Sequence, residues 1–326
     1  PIGRMMVLGI LALLLKGFGP AAWGAEGATN KAAFGKRFQL EIFGGLSSLH
    51  PSDLNLRPAY DKAFLADIND FYSYYYPTVE QEGPSNDFGR INASLPLGLS
   101  LRYSLGQRFA VSLGFCYIRS QSTSDVTARY QTSGATPTVL DFLYSPYELT
   151  AQGMIPFVGL HVFPVGGPGA RLEFFAAAGP LLARCRYEVV INRYYSRDNS
   201  VYRAEETSTE LTGRSVGLSL EGGARLSIPI QGGLRVFGEA GYGYRTARDL
   251  KGKGKFVYSI YLDASTIQTV NELTWEGYWG IKDDGAFAPL PSNEWEKDDH
   301  RVKPFVLDLS GGFIRIGLSL SFFRIF

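Results

Sequence analysis

Cysteine and histidine are scarce here: two Cys and three His in 326 residues. At most one disulfide can form, and only in an oxidising compartment. Cys116 and Cys185 fall on strands that are not sequence neighbours, whereas a bridge needs Cα atoms within about 7 Å. Two free, buried, small side chains are therefore expected. His50, His161 and His300 lie in separate elements. No metal-ligand spacing is present, and no Ser, His and acid stand at motif spacing, so neither a metal centre nor a nucleophilic triad can be read. The expectation is a non-enzyme with no cofactor and no metal. An excess of one charge is also lacking, with 32 Lys and Arg against 31 Asp and Glu. No basic cluster is interleaved with stacking aromatics, which argues against nucleic acid as a partner.

Long apolar runs are missing except near the start. Arg4 is followed by Met5 to Leu15, then Lys16, then Gly17 to Ala25. This is too short to span a bilayer as a helix. It looks like a secretory signal, with a basic residue, an apolar stretch and small residues before a cut. Ala22 and Gly24 flank Trp23 in a small-x-small pattern, placing cleavage after Gly24 or one residue later. Removing Arg4 and Lys16 leaves 30 basic against 31 acidic residues, a net charge of −1. No Cys lies near the cut, so a lipid anchor there is not expected.

What the chain has in abundance is Gly (38), Tyr (19), Phe (22) and a period of two. At the C-terminal end Ile314, Ile316, Leu318, Leu320 and Phe322 fall on one face, with Arg315, Gly317, Ser319 and Ser321 on the other. Such alternation is a strand between two different surroundings. It recurs at 38–47, 91–105, 109–117, 215–228 and 234–245. Two further strands are less clean. Tyr147 to Phe163 is apolar at both parities, and Arg171 to Val189 is expected to bulge near Gly179 and Pro180. That makes eight.

The connections alternate. Short ones are 106–108, 164–170 and 229–233; long ones are 48–90, 118–146, 190–212 and 245–304. Short turns on one side and long loops on the other fit a transmembrane barrel, and an even strand number puts both termini on the turn side. A charge on a lipid-facing position near the midplane costs about 2–4 kcal/mol. The strand charges share the small, polar face, so the apolar face is expected outside and the polar face inside. The turn around Gln107 sets Tyr103 opposite Val111 and Leu101 opposite Leu113. The turn around Gly232 sets Arg225 opposite Glu239, both inward.

From Arg37 to Phe326 the chain resembles the small eight-stranded bacterial outer-membrane β-barrels (the OmpA/OmpX/OmpW type). The resemblance rests on the signal, the amphipathic strands, the alternating connections and the terminal aromatic Phe326. Arg324 departs from it, standing where an aromatic or apolar side chain is usual. The resemblance implies an all-β, eight-stranded antiparallel up-and-down barrel with four long extracellular loops and periplasmic termini in a Gram-negative outer membrane. Residues 1–24 are then the signal peptide, 25–36 a short N-terminal segment and 37–326 the barrel. Its implied partners are outer-membrane lipid and lipopolysaccharide, and, during biogenesis, periplasmic chaperones and the barrel assembly machinery. Phe38, Phe322, Arg324 and Phe326 are expected at the membrane rim.

Three constellations stand out. Glu41, Arg102, Glu173, Glu221, Arg225, Arg235, Glu239 and Arg315 are expected inside. They read either as a salt-bridged closed core, which the narrow interior of eight strands favours, or as a path for ions or small solutes. Tyr60, Phe64, Ile68, Phe71 and Tyr75 recur at helical spacing after Pro58, and Phe71, Tyr72, Tyr74, Tyr75 and Tyr76 form an aromatic run. This is either a loop helix over the barrel mouth or a contact surface for an unidentified extracellular ligand. The last long connection carries Trp275, Trp279 and Trp295 as further contact candidates, a strand-like stretch from Phe256 to Leu262, and acids from Asp283 to Asp299 without calcium-loop spacing. Lys251, Lys253 and Lys255 alternate with glycine but lack the Gly-Lys-Ser/Thr of a phosphate loop. The function expected is a surface protein acting through its loops in adhesion, recognition or envelope integrity, with a channel or a lipid-modifying enzyme as alternatives.

Overall fold

The computed structural model describes residues 38–49, 53–75, 79–82, 88–106, 108–132, 138–165, 169–197, 200–231, 233–261, 267–282, 287–290 and 302–322. The expected signal peptide, the 25–36 segment, Tyr76, Trp295, Arg324 and Phe326 lie outside them. In chain order the strands are β1 (Phe38–Ser48), β2 (Val79–Glu82), β3 (Ala93–Ser104), β4 (Phe109–Thr132), β5 (Thr138–Val165), β6 (Arg171–Arg197) and β7 (Ser200–Gln231). Then follow β8 (Leu234–Ala247), β9 (Lys251–Tyr261), β10 (Ile267–Lys282), β11 (Phe287–Leu290), β12 (Val302–Pro304), β13 (Leu307–Asp308) and β14 (Gly311–Phe322). An α-helix, α1 (Leu56–Tyr75), lies between β1 and β2 and follows a 3-10 turn at Asp53–Asn55.

Eight strands close an antiparallel ring in the order β1, β3, β4, β5, β6, β7, β8, β14 and back to β1. The seam joins the two ends of the chain, with Leu40 opposite Leu320 and Glu41 opposite Ser319. The expected hairpin registers hold: Tyr103 opposes Val111 and Arg225 opposes Glu239. One hydrogen-bonded row can be followed right round, through Val216, Leu182, Met154, Tyr117, Leu97, Gly44, Ile316, Gly238 and Leu226. It returns to β7 ten residues from its start, residue 216 to residue 226, so the strands must tilt by about 40° to the barrel axis.

Parity decides the two faces. Leu95, Leu97, Leu99, Leu101, Leu113 and Val216 are exposed apolar side chains on the outside, while Glu41, Arg102, Ser112, Glu173 and Arg315 are buried inside. Leu95 to Leu105 on and beside β3 is about 34 Å of strand, or ~26 Å of height at that tilt. Aromatics rim this band, with Phe38, Tyr103 and Phe109 at one edge and Tyr117, Tyr242 and Tyr244 at the other.

Three expectations need correction. The stretches 118–146 and 190–212 are not loops for most of their length: β4, β5, β6 and β7 run on as paired strands well past the apolar band. The last connection is also largely β. β9 leaves the ring at β8 and pairs with the upper half of β7 on one side and with β10 on the other, so the stretch around Phe256 does extend the wall. Asp249, at φ 54°, turns the chain at that branch. Gly217 lets β7 pass close to β8 there, since a Cβ would stand 1.9 Å from the Thr246 carbonyl oxygen. Finally, no bulge occurs at Gly179 and Pro180. The β6–β7 register is continuous there, and the β5–β6 ladder is instead interrupted between Met154–Leu182 and Val158–Ala178, without a register shift. Pro156 and Pro180 fall in that gap, and neither has an N–H to donate.

Candidate functional site

The lumen of the ring holds a continuous network of buried ions. Arg225 meets three carboxylates: Glu41 at 2.7 Å, Glu173 at 3.0 Å, and Glu239. Arg102 bridges Glu41 at 3.2 Å and Glu173. Arg315 reaches Glu221 and, at 3.7 Å, Glu239. Arg245 binds Glu221 at 2.7 Å, and Ser100 donates to Glu41 at 3.0 Å. Aromatic faces fill the spaces between these ions. The guanidinium of Arg225 lies 4.1 Å from the Phe237 ring centre, that of Arg315 3.9 Å from Phe313, and that of Arg102 4.9 Å from Phe163. Each planar cation thus has carboxylates at its edge and a π-face against its plane.

Seven of the eight interior residues named from sequence belong to this network. Arg235 is the exception. It is inside but near the turn end, half-buried, donating to the carbonyls of Gly169 and Ser227 rather than to an acid. Arg245, 0% exposed, is the ion that sequence reasoning missed. Its inward parity on β8 was the available signal, but it stood at the start of a presumed loop.

A second surprise is a Ser–His–acid chain. Ser112 Oγ lies 2.9 Å from His161 Nε2, and His161 Nδ1 lies 3.3 Å from Glu173 Oε1. All three are buried in the lumen. The order of contacts is that of a nucleophile, a base and an orienting acid. However, Glu173 is already held by two arginines. The nearby void, lined by Glu41, Arg102, Glu173 and Arg225, has a volume of about 10 Å³, the space of about one water. Its lining includes Glu173 but neither Ser112 nor His161, both of which are buried.

Above the apolar band the same strands reverse their polarity. On β4 the outward series Phe109, Val111, Leu113, Phe115, Tyr117 gives way to Arg119, Gln121, Thr123, Asp125, Thr127 and Arg129, while Ile118, Val126, Ala128 and Tyr130 turn inward and are buried. On β6, Leu181, Cys185, Tyr187 and Val189 do the same. Helix α1 packs into this apolar interior through Pro58, Asp61, Leu65 and Ile68, an i, i+3, i+7, i+10 face. Its anchor is polar: Arg57 pairs with Asp61 at 2.7 Å and donates to Tyr187 Oη at 3.1 Å. Burial raises the Asp61 carboxyl above its ordinary range, with Arg57 opposing the shift, and burial likewise raises the Tyr187 phenol.

The aromatic contact candidates divide. Phe71 is 53% exposed. The Tyr72, Tyr74 and Tyr75 side chains lie outside the described residues, as does that of Phe322, whose backbone pairs with Phe38. Trp279 corrects the expectation of a surface contact: it is 1% exposed, with its ring 5.8 Å from Phe305. Trp275 is partly buried against the same core. Cys116 and Cys185 are buried and unbridged, as expected. Among the described residues no group of His, Cys, Asp and Glu is arranged to hold a metal.

No family profile matches the chain, and no curated protein is similar to it. Among solved structures it is similar to a major outer membrane protein from Thermus thermophilus, at 12% identity, 88% of this chain, 99% of that one and a TM-score of 0.32. OmpT, an outer membrane protein of Vibrio cholerae in its trimer form, aligns at 7% identity, 89% of this chain, 100% of that one and a TM-score of 0.10. Scores this low carry no argument about function, which has to come from the chain's own geometry.

Proposed function

We propose that this chain is a non-enzymatic outer-membrane protein whose ring spans the bilayer with a closed lumen and whose upper wall is a rigid recognition surface facing outward from the cell. The observation that carries the reading is the reversal of polarity along single strands. A closed ring with an apolar outside and an ion-paired inside suits hydrocarbon, where every backbone polar group must be satisfied within the protein. An outward apolar band of ~26 Å matches the roughly 25 Å expected of an outer-membrane barrel. Polar outside and apolar inside is the pattern of a wall in water, and it starts where the band ends. Lipid and lipopolysaccharide are then the partners of the band. Chaperones and the barrel assembly machinery belong to the same reading.

Two measurements test it. Purified protein should migrate faster unboiled than boiled and give no large conductance steps in planar bilayers; reproducible large steps would refute the closed lumen. A cysteine at Thr123, introduced beside the two buried native thiols, should react with a membrane-impermeant maleimide on intact cells, while one at Leu113 should not. Equal labelling, or none at Thr123, overturns the orientation.

A second reading has one observation in its favour, the Ser112–His161–Glu173 chain. It predicts labelling of Ser112 by a fluorophosphonate probe. The filled lumen weighs against it, and absence of labelling in folded protein would dispose of it.

A further inference from the structure

The outer surface changes from apolar to basic at one place in particular. Arg184 on β6 pairs directly with Arg214 on β7, and Arg214 pairs directly with Lys251 on β9. Directly opposed residues of an antiparallel pair share a face about 5 Å apart, and like charges so placed destabilise the sheet. All three are exposed. None has a carboxylate within ion-pair distance among the described residues. Their neighbours further up do: Arg186 pairs with Glu188, Lys253 with Glu276 and Lys255 with Glu272. Three adjacent uncompensated cations therefore sit at the boundary row, and the next outward residues towards the band are Leu182 on β6 and Val216 on β7, both exposed.

Directly above this row the sheet forms a hollow of about 450 Å³ on β7, β9 and β10, lined by Glu210, Thr212, Lys253, Lys255, Thr274, Trp275 and Glu276. That volume is within the usual range for a small-ligand site. Its lining combines the Trp275 ring and the lysine stems with hydroxyl, ammonium and carboxylate groups, so it offers an apolar face beside hydrogen-bond partners.

We infer that the row and the hollow together bind one phosphorylated glycolipid of the outer leaflet. Its phosphates are held by Arg184, Arg214 and Lys251, its sugar occupies the hollow, and its acyl chains run down over Leu182 and Val216. A guanidinium fork matches a phosphate bidentately, and the anion relieves the repulsion between opposed cations. An ordinary anionic phospholipid satisfies the cations and leaves the hollow empty; a free sugar does the reverse. The inference rests on the outer-membrane reading and names the lipid that such a protein would hold.

The test uses the full chain folded in detergent, with native mass spectrometry of bound lipid. The probes are an acylated glucosamine disaccharide bisphosphate, its dephosphorylated form, phosphatidylglycerol and inorganic phosphate. The bisphosphate should be retained at least tenfold better than either other lipid. The exposed triple variant Arg184→Gln, Arg214→Gln, Lys251→Gln should lose that preference. Equal retention of phosphatidylglycerol would refute the sugar's role, and equal retention of the dephosphorylated form would refute the phosphates'. Competition by inorganic phosphate at similar concentration would reduce the row to an adventitious anion site, overturning the proposal. Heat-modifiable migration of the same samples separates the two readings. A folded barrel with no lipid preference sinks this inference alone, whereas absence of a heat-modifiable form sinks the membrane reading beneath it.

Discussion

The lower and upper parts of one wall solve the same packing problem with opposite chemistry. Below Tyr117, β4 sends Phe115 and Leu113 outward and Cys116 and Ser112 inward, next to the ion network; above it, β4 sends Arg119 and Thr123 outward and Val126 and Tyr130 inward. On β4 the parity is the same in both parts, although its ladder to β5 shifts register between Ser124 and Val126. What changes is which side carries the apolar side chains, and in the proposed orientation that side faces the medium unable to solvate charge. The difference teaches that a strand's polarity pattern reports its surroundings, while its period alone reports the strand.

The largest effect that would break the comparison is in the lower lumen. Arg225→Met removes the cation shared by Glu41, Glu173 and Glu239, leaving buried charge uncompensated at a cost of about 3–5 kcal/mol. Loss of the heat-modifiable form, or a large drop in the urea midpoint, is the expected result; an unchanged midpoint would mean the network contributes little. Next, Leu113→Arg places a charge on a 64% exposed position within the band and should cost about 2–4 kcal/mol in lipid. Thr123→Arg, on the same face of the same strand, should cost almost nothing. Equal effects on folding into vesicles would erase the boundary between the halves. Leu65→Ala, in the apolar upper interior, should cost about 2–3 kcal/mol locally. It should free α1 for proteolysis while the barrel keeps its migration shift.

The smallest effect is pH dependence in the helix anchor. Asp61 holds its proton more tightly folded than unfolded, because burial outweighs the pull of Arg57. Docking of α1 is therefore fully favoured below the ordinary carboxylate pKa near 4, and weakens as pH rises from there through the raised folded value. Hydrogen exchange of the α1 amides across that interval should show the slope, and Asp61→Asn should flatten it. A wild-type profile without slope would deny the burial argument.

The lower half was legible because its outward side chains are apolar and its inward ones small or polar with few exceptions. Six strands could be read from alternation alone, and a short turn pinned Arg225 to Glu239. The upper half was misread as loop for want of an apolar outer face, although Val126, Ala128 and Tyr130 alternate cleanly with Asp125, Thr127 and Arg129. There the apolar residues face inward, towards partners such as α1 that come from elsewhere in the chain. Contacts across the lumen were out of reach for a related reason. Arg102 on β3 and Glu173 on β6 are not on neighbouring strands, so their 3.1 Å hydrogen bond exists only once the ring closes. Ser112 and His161 do lie on paired strands, but the long stretch between them hid the register. Arg245 was hidden by a strand that ends later than its pattern suggested.

The seam between β1 and β14 has a kinetic consequence. It joins residues separated by nearly the whole chain, so the ring cannot shut until the final strand is made, and its closure is a late, slow event. The ions supply a check on that event. Glu41 of the first strand and Arg315 of the last are linked through Arg225 and Glu239 in the middle. Should the ends meet two residues out of step, the apolar face of β14 stays outward, but Arg315 no longer stands opposite Glu239. The network thus works as a proofreading device for closure, rejecting misjoined rings that the apolar faces alone would tolerate.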